Sequence, residues 1–283
     1  MFAYGLMLLI GLFAGITGGM LGVGGSIVMI PAMTELLGPD QHLYQSAAMI
    51  VNFFVVLPAA YHHRRVGSLD RSAITRLMPL GIVSVIVGVI ISELGVFSGT
   101  GEAYLRLLFG LFLLSLMLAD LRRMLRGSDV AADTLERATN DSNSELRISR
   151  DWSLRSSIAV AVPTGLIAGL LGVGGGVLSV PLQRRFLNMS IRTAIGNSSA
   201  IIMATSLVGA LVKNYAYYSE SVGSLASLQL AAMLIPSAMI GSAIGSRLTH
   251  RLPLRAVKMS FFLLLLFVAI RLSYQAVMSI RAS

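Results

Sequence analysis

Residues 18–25 read Gly-Gly-Met-Leu-Gly-Val-Gly-Gly, and residues 169–176 read Gly-Leu-Leu-Gly-Val-Gly-Gly-Gly. These first and second glycine motifs lie inside two long apolar stretches, 2–37 and 153–187. A single helix of either length would be about 50 Å long, whereas the hydrocarbon core of a bilayer is about 30 Å thick. Because glycine has a low helix propensity, we predict that both stretches break at the glycine motifs and form hairpins.

The composition of the chain indicates a membrane protein. Of 283 residues, 55% are hydrophobic and only 12% are charged, whereas about 25% of the residues in a soluble domain are charged. Other apolar stretches are long enough to cross a bilayer, and they lie near 42–61, 72–94, 103–124, 190–218, 226–248 and 254–280. We therefore predict an all-α polytopic membrane protein. No Lys or Arg precedes Arg64, so we interpret the first stretch as a retained membrane segment and not as a signal peptide.

The two glycine motifs belong to an internal repeat. Gly22, Gly24 and Pro31 recur 150 residues later as Gly172, Gly174 and Pro181, and the Gly-Ser-Leu sequence at 67–69 recurs at 223–225. A polar segment rich in Asp, Glu, Ser, Asn and Arg separates the two halves. We predict a first transmembrane repeat at 1–126, a solvated cytoplasmic linker at 127–152 and a second transmembrane repeat at 153–283.

The charge distribution predicts how the repeats are oriented. Basic residues concentrate in three loops, which the positive-inside rule places in the cytoplasm; they include Arg64, Arg65, Arg71, Arg122, Arg123, Arg150, Arg155, Arg247 and Arg251. The segments 35–41, 93–102 and 220–227 contain acidic residues and no Lys or Arg, so we expect them outside. Following the chain through its crossings gives two inverted repeats, each a glycine-broken hairpin plus three transmembrane helices, with both termini periplasmic or extracellular.

The predicted breaks indicate a site for a small anion. In hydrocarbon an unpaired backbone group costs several kcal/mol, so broken backbone persists only where it lines protein or a polar cavity. Two helices that begin at the breaks would point their partially positive N-termini toward the middle of the membrane. The alternative is that the glycines serve only close helix packing. The candidate substrate-binding residues of the two motifs are Gly22, Gly24, Gly25, Ser26, Gly172, Gly174, Gly175 and Gly176.

Polar side chains inside the spans that follow each motif are further candidates. Such groups either line a path or bond a neighbouring helix, and the candidates are Gln45, Ser46, Asn52, Asn197, Ser198 and Ser199. Lys213 is an obvious possible anion ligand. It lies near the outer end of its span among tyrosines, so we predict that it snorkels into the interfacial region. We interpret His62 and His63, which precede Arg64, as anchors that face the lipid headgroups.

Several function classes are excluded by the sequence. The chain has no Cys and only four scattered His, so we expect no metal site and no cofactor. It has no H-E-x-x-H, G-x-S-x-G or G-x-x-x-x-G-K-[ST] motif, so we predict no catalytic residues, no enzyme activity and no direct use of ATP. The net charge of +9 follows the positive-inside pattern, so we expect the lipid bilayer and a small anionic substrate as partners and no nucleic acid. The sequence leaves open whether the chain is a homo-oligomer.

The glycine motifs also resemble those of a known family. The repeated Leu-Gly-Val-Gly-Gly followed by Pro, at 21–31 and 171–181, is similar to the TauE/SafE family of sulfite and organosulfonate exporters, as is His62-His63-Arg64-Arg65-x-Gly67-x-x-Asp70. The resemblance covers nearly the whole chain outside the linker. It implies a bacterial inner-membrane permease that exports sulfite, sulfoacetate or related anions.

The chain departs from this family at one place. Where each family half usually carries a Thr-Ser pair after the glycine motif, this sequence has Asn197-Ser198 in the second half and Ala47-Ala48 in the first. Two alternatives to the sulfur-anion exporter therefore remain open, a channel-like anion pore and a transporter of a different small organic anion.

Overall fold

The computed structural model describes residues 2–97, 101–125, 153–218 and 223–248, together with Leu266, Ile270 and Tyr274. Over these residues the regular structure is helical and contains no strand. A short 3₁₀ helix, Gly95–Phe97, follows the fourth α-helix. The nine α-helices within the described ranges are α1 (Phe2–Leu21), α2 (Ser26–Leu37), α3 (Gln41–Arg65), α4 (Arg71–Ser92), α5 (Glu102–Leu125), α6 (Leu154–Leu171), α7 (Gly176–Phe186), α8 (Ile191–Tyr218) and α9 (Gly223–Leu248).

Both glycine motifs break the helices where the sequence predicts. The first break separates α1 from α2, and the second separates α6 from α7. The motif glycines adopt positive φ angles that residues with a Cβ rarely adopt; the angles are +63° at Gly22, +83° at Gly24, +71° at Gly172, +71° at Gly174 and +78° at Gly175. The helices after the breaks have 12 and 11 residues and are only about 17 to 18 Å long. Neither is long enough to cross a bilayer.

Four of the six predicted membrane spans are confirmed over the described ranges, and the first arms of both predicted hairpins are also long and apolar enough to cross a membrane. Six helices there are long and apolar enough to cross a membrane, namely those at Tyr4–Leu21, Gln41–Arg65, Arg71–Ser92, Leu154–Leu171, Ile191–Tyr215 and Leu225–Leu248. Helix α5 coincides with the predicted span 103–124. The predicted linker 127–152 and nearly all of the predicted span 254–280 lie outside the described residues.

Each glycine-broken hairpin packs mainly on a helix of the other half of the chain, through small residues on both surfaces. On α1, Gly11 and Gly15 lie against Ala238 of α9, and a Cβ added at Gly19 would lie 2.7 Å from the Oγ of Ser242. Residues later in α1 contact residues later in α9, so the two helices are parallel. Helices α6 and α4 form the equivalent parallel pair, with contacts among Gly81, Ser84, Val85, Gly88, Gly165 and Gly169.

Helices α3 and α8 cross the middle of the molecule in antiparallel directions. A Cβ added at Gly209 of α8 would lie 3.1 Å from the Sδ of Met49 near the start of α3. A Cβ added at Gly196, near the start of α8, would lie 3.3 Å from the Cβ of His63 near the end of α3. These two central helices carry the polar residues that the sequence analysis selects as candidates.

Candidate functional site

The two glycine motifs meet in the middle of the protein. A Cβ added at Gly176 would lie 2.5 Å from the Cα of Val23 and 2.5 Å from the Cδ1 of Ile202. The hydroxyl of Ser198 on α8 donates a hydrogen bond of 2.8 Å to the carbonyl of Gly22. The two breaks are therefore direct neighbours, although 150 residues of sequence separate them.

Asn52 on α3 lies between the two breaks. Its Oδ1 accepts hydrogen bonds from the backbone N–H of Gly25 at 2.8 Å and of Ser26 at 3.1 Å, and its Nδ2 donates to the Oγ of Ser26 at 3.0 Å. On the other side, a Cβ at Gly174 would lie 2.8 Å from the Nδ2. The Asn52 side chain is fully buried, so one carboxamide caps α2 and also contacts the second break.

The first turn of each central helix contacts the break of the opposite half. A Cβ at Gly22 would lie 2.9 Å from the Cγ2 of Ile195 on α8, and a Cβ at Gly172 would lie 2.8 Å from the Cβ of Gln45 on α3. Positions 45 and 195 are themselves related by the repeat. The Nε2 of Gln45 also donates to the carbonyl of Leu170 at 3.3 Å. Both breaks are thus held by equivalent, reciprocal contacts.

The second break differs from the first in its capping. Helix α7 begins after Gly175 without a side-chain cap, and the residue that corresponds to Asn52 in the repeat is Ile202. Gly175 has a φ of +78°, whereas the equivalent Gly25 has a φ of −87°. Among the described residues, no side chain accepts a hydrogen bond from the first N–H groups of α7, whereas Asn52 accepts from those of α2.

Three buried polar side chains on the central helices α3 and α8 have atoms without a hydrogen-bond partner among the described residues. They are the Oε1 of Gln45, the Oγ of Ser46 and the Oγ of Ser206. All three residues are at most 2% exposed. Ser206 is not among the sequence-based candidates. The one feature of the sequence that could have identified it is its hydroxyl group inside an apolar span.

Two of the sequence-based candidates lie away from the breaks. The Oδ1 of Asn197 accepts a 2.8 Å hydrogen bond from the backbone N–H of Asp70, and its Nδ2 donates to Gln183 at 3.3 Å. Asn197 therefore ties the α3–α4 loop to α7. The hydroxyl of Ser199 donates to the carbonyl of Ile195 in its own helix at 3.0 Å.

The predicted snorkelling of Lys213 is wrong. The side chain is fully buried, and its Nζ lies 2.9 Å from both the Nδ1 of His42 and the Oγ of Ser92 and forms an ion pair with Glu93. The carboxylate compensates the cost of burying the ammonium group. Its neighbour Tyr215 is the residue that faces outward, at 82% exposed.

The predicted headgroup-facing role of His63 is also wrong. The residue is fully buried, its Nδ1 lies 3.2 Å from the Oγ of Ser68, and α8 packs over it at Gly196. The short turn after α3 folds back onto the histidine, because the N–H of Ser68 donates to the His63 carbonyl at 3.0 Å. His62 is partly exposed.

A small cavity lies beside the second break, between α4, α6, α7 and α8. Its volume of about 10 Å³ gives room for about one water molecule. Its lining is almost entirely apolar, although Thr164, Ser179 and Thr205 contribute side chains to it. No cluster of His, Cys, Asp or Glu suited to a metal ion occurs among the residues that the structure describes.

The apolar spans and the paired helix breaks define a multi-pass membrane protein of the transporter class. The family Sulfite exporter TauE/SafE matches residues 7–272, and the chain belongs to this family, whose members are transporters and not enzymes.

Several curated proteins are similar to the chain. A probable membrane transporter protein MamO of Paramagnetospirillum magneticum is 29% identical over 89% of this chain and 41% of its own length. The chain thus spans about two fifths of that relative and of a second MamO, from Magnetospirillum gryphiswaldense. A probable membrane transporter protein YunE of Bacillus subtilis is 24% identical over 97% of this chain and 98% of its own length. No solved structure matches the chain significantly.

Proposed function

We propose that this transporter exports small sulfur oxyanions, such as sulfite or sulfoacetate, across the bacterial inner membrane, and that it binds them where the two glycine motifs meet. The observation that carries the proposal is the position of Asn52, whose single carboxamide contacts both breaks. The description of the family supports the substrate class.

The binding chemistry follows from the ends of α2 and α7. A helix N-terminus carries about half a positive charge and free N–H donors, which suits a small anion. In the structure the Oδ1 of Asn52 satisfies the amides of Gly25 and Ser26, whereas α7 has no side-chain cap. We propose that the anion binds first to the α7 amides at Gly175 and Gly176. It then competes with the Asn52 oxygen for the donors of α2, because both are hydrogen-bond acceptors.

The hydroxyl and amide groups around the breaks complete this binding site. Ser46 offers a buried hydroxyl without a partner in the described ranges, and the Nδ2 of Asn52 adds an N–H donor next to Gly174. Oxyanions accept several hydrogen bonds at once, so donors that converge from both halves favour them over a monatomic anion such as chloride. The site requires no fixed cation, which agrees with the need to release the substrate.

We further propose that the two halves are inverted repeats and that they expose this site alternately to each side. The parallel pairs α1/α9 and α4/α6 and the antiparallel pair α3/α8 have the helix directions that the charge-based topology requires. Each hairpin packs on a helix of the other half, so a shift between the halves would open one face of the site while closing the other. The small cavity beside α7 is the proposed start of the cytoplasmic path.

The membrane potential is sufficient to drive the proposed export. An inside-negative potential of 100 mV favours outward movement by about 2.3 kcal/mol for each negative charge. A divalent anion therefore gains about 4.6 kcal/mol, which corresponds to a concentration ratio above about 1,000.

The test is flux of radiolabelled sulfite in proteoliposomes that contain the purified chain. We expect saturable flux, driven by the potential and inhibited by unlabelled sulfoacetate. An Asn188→Asp variant serves as a matched control for substitutions at Asn52, because Asn188 is exposed in the α7–α8 loop. Absence of saturable flux for any sulfur anion would overturn the substrate, and single-channel currents in planar bilayers would favour the pore over the alternating transporter.

A further inference from the structure

A second polar cluster lies at the start of α3 and near the end of α8. The sequence predicts that this side of the protein faces the exterior. The cluster joins His42 at the start of α3, Ser92 and Glu93 at the end of α4, and Lys213 on α8. We call these four residues the outer cluster. Lys213 is fully buried, whereas the Glu93 side chain is 25% exposed, so the carboxylate separates the buried ammonium group from the outer surface.

The hydrogen-bond partners of His42 determine where its ring hydrogen lies. The Nε2 is 2.8 Å from the carbonyl oxygen of Phe97, and a carbonyl only accepts. The Nε2 therefore carries the hydrogen, and the Nδ1 of the neutral ring is an acceptor for the Nζ of Lys213 at 2.9 Å. The same Nδ1 is only 3.4 Å from the Oε1 of Glu93.

Protonation of the ring would reverse this arrangement. A hydrogen on the Nδ1 turns it from an acceptor for Lys213 into a donor toward Glu93. Two cations would then share one carboxylate, and the ammonium group would lose one of its three partners. Lys213 is the residue of this cluster that links α8 to the ends of α3 and α4, so its contacts help to hold these helix ends together.

Glu93 itself does not titrate near neutral pH. Burial raises the pKa of this carboxyl, but the contact with His42 and the ion pair with Lys213 outweigh burial and lower the pKa from 4.5 to about 2. Because this pKa is lowered, the ion pair between Glu93 and Lys213 is fully present above the ordinary pKa range of a carboxyl group. It is lost only as the pH falls toward about 2. In proteins generally, histidine is the side chain whose ordinary change of charge falls between about pH 5 and pH 8.

The surroundings of His42 contain both signs of charge. Glu93 and Lys213 contact it directly from α4 and α8. Glu102 and Arg106 approach from α5, and Asp40 precedes α3. The Oε2 of Glu102 accepts a hydrogen bond of 3.2 Å from the backbone N–H of Gln41, next to His42.

We propose that His42 is a proton-binding residue that controls opening of the outer side of the transporter. A proton taken up from the exterior binds at the Nδ1, displaces the Nζ of Lys213, and frees the outer end of α8 from α3 and α4. This inference rests on the proposed export function, because external protons would then control the release of the exported anion. The opening movement itself does not depend on which anion is carried.

The chain has no Cys, so a pair of spin labels can be introduced without removing native thiols. Val96→Cys and Tyr215→Cys place the labels on residues that are 69% and 82% exposed, beside the Glu93 and Lys213 sides of the cluster. Double electron–electron resonance in lipid without substrate would measure the distance between the labels. We expect it to lengthen reversibly by about 5 Å, the scale of a one-turn helix shift, between pH 8 and pH 5. An unchanged distance would overturn the proposal.

Two substitutions separate a proton switch from a structural role. His42→Gln should abolish the pH response, whereas the matched control His62→Gln, at the other end of α3, should keep it. Lys213→Met should invert the response, because protonated His42 then gains Glu93 as a partner and competes with no other cation. A wild-type response in His42→Gln, or in Lys213→Met, would contradict the assignment.

Flux measurements distinguish failure of this inference from failure of the proposed function. Saturable sulfite flux together with a pH-independent label distance would overturn the role of His42 and leave the substrate intact. A pH-dependent distance without flux of any sulfur anion would overturn the substrate and leave the switch intact. If both hold, lowering the external pH should accelerate efflux in the wild type and not in His42→Gln.

Discussion

The two glycine motifs have nearly the same sequence and the same backbone break, but they differ in chemistry. The first break is capped by Asn52, which bonds the amides of Gly25 and Ser26. The second break begins α7 without a side-chain cap, and the repeat places the apolar Ile202 where the first half has Asn52. The repeat thus contains the same backbone break twice, while a single side chain contacts both copies. We infer that the anion site is asymmetric and centred on the second break.

The largest effect is expected for Asn52→Asp, which would place a fixed negative charge between the breaks. Two backbone amides donate to the side chain at this position, and the Ser26 hydroxyl, which accepts from the Asn52 Nδ2, can rotate to donate to a carboxylate. Donors of this kind keep a carboxylate ionised. The new charge would repel the substrate, so we expect sulfite flux to fall about 100-fold or more, equivalent to ~2.7 kcal/mol. Flux of Asn188→Asp should match the wild type, and normal flux in Asn52→Asp would contradict a shared site.

A loss nearly as large is expected for Gly24→Val and Gly174→Val. Both glycines have positive φ angles, which cost a residue with a Cβ about 1–2 kcal/mol. A Cβ would also lie 2.9 Å from the Asn52 Oδ1 in the first case and 2.8 Å from its Nδ2 in the second. Flux should be largely lost while the chain still inserts and elutes as a folded species on size exclusion.

The matched control for these two substitutions is Gly38→Val. Gly38 also has a positive φ, of +95°, but no heavy atom lies within 4 Å of the position of its Cβ. It therefore carries the backbone strain without the collision at the breaks. Equal losses of flux in all three variants would mean that backbone strain alone explains the effect. That result would contradict a specific role of the two breaks in transport.

A smaller effect should follow from making the two breaks alike. Ile202→Asn introduces a carboxamide at the repeat position of Asn52, where it would offer α7 an acceptor and compete with the anion. We expect the KM for sulfite to rise about tenfold, equivalent to ~1.4 kcal/mol. Ile202→Val keeps the site apolar and should leave the KM unchanged. A lower KM in Ile202→Asn would show that the added group helps to bind the anion.

The smallest effect on transport is expected at Asn197. The sequence assigns this residue of α8 to the binding site, whereas in the structure its side chain contacts the α3–α4 loop. Asn197→Ala removes the acceptor for the backbone N–H of Asp70 and should lower stability by about 1 kcal/mol. The melting temperature should fall while the KM for sulfite stays as in the wild type. A raised KM with unchanged stability would return Asn197 to the substrate path.

The sequence predicts the breaks better than it predicts the side chains around them. A glycine motif inside an over-long apolar stretch has one physical solution, and the structure contains it at both 22–25 and 172–175. The place of Lys213 depends instead on Glu93, Ser92 and His42, which are all more than 100 residues away in sequence. Local spacing cannot distinguish a lysine at the membrane interface from one paired in the interior.

The roles of Asn52 and Asn197 differ for a similar reason. Both are asparagines inside apolar spans, and the sequence selects both as candidates. Which one reaches the breaks depends on the rotation of α3 and α8 about their axes, and that rotation is fixed by contacts between distant glycines and their neighbours.

The most direct test of the asymmetric site is solid-state NMR of the ¹⁵N-glycine-labelled chain in lipid, titrated with sulfite. We predict saturable shifts of the amide signals of Gly175 and Gly176. The amide signal of Gly25 should shift over the same range of sulfite concentrations, because Asn52 releases this amide, and the signal of Gly38 should not shift. Saturable sulfite flux in the same preparation with no change at Gly175 or Gly176 would contradict the account.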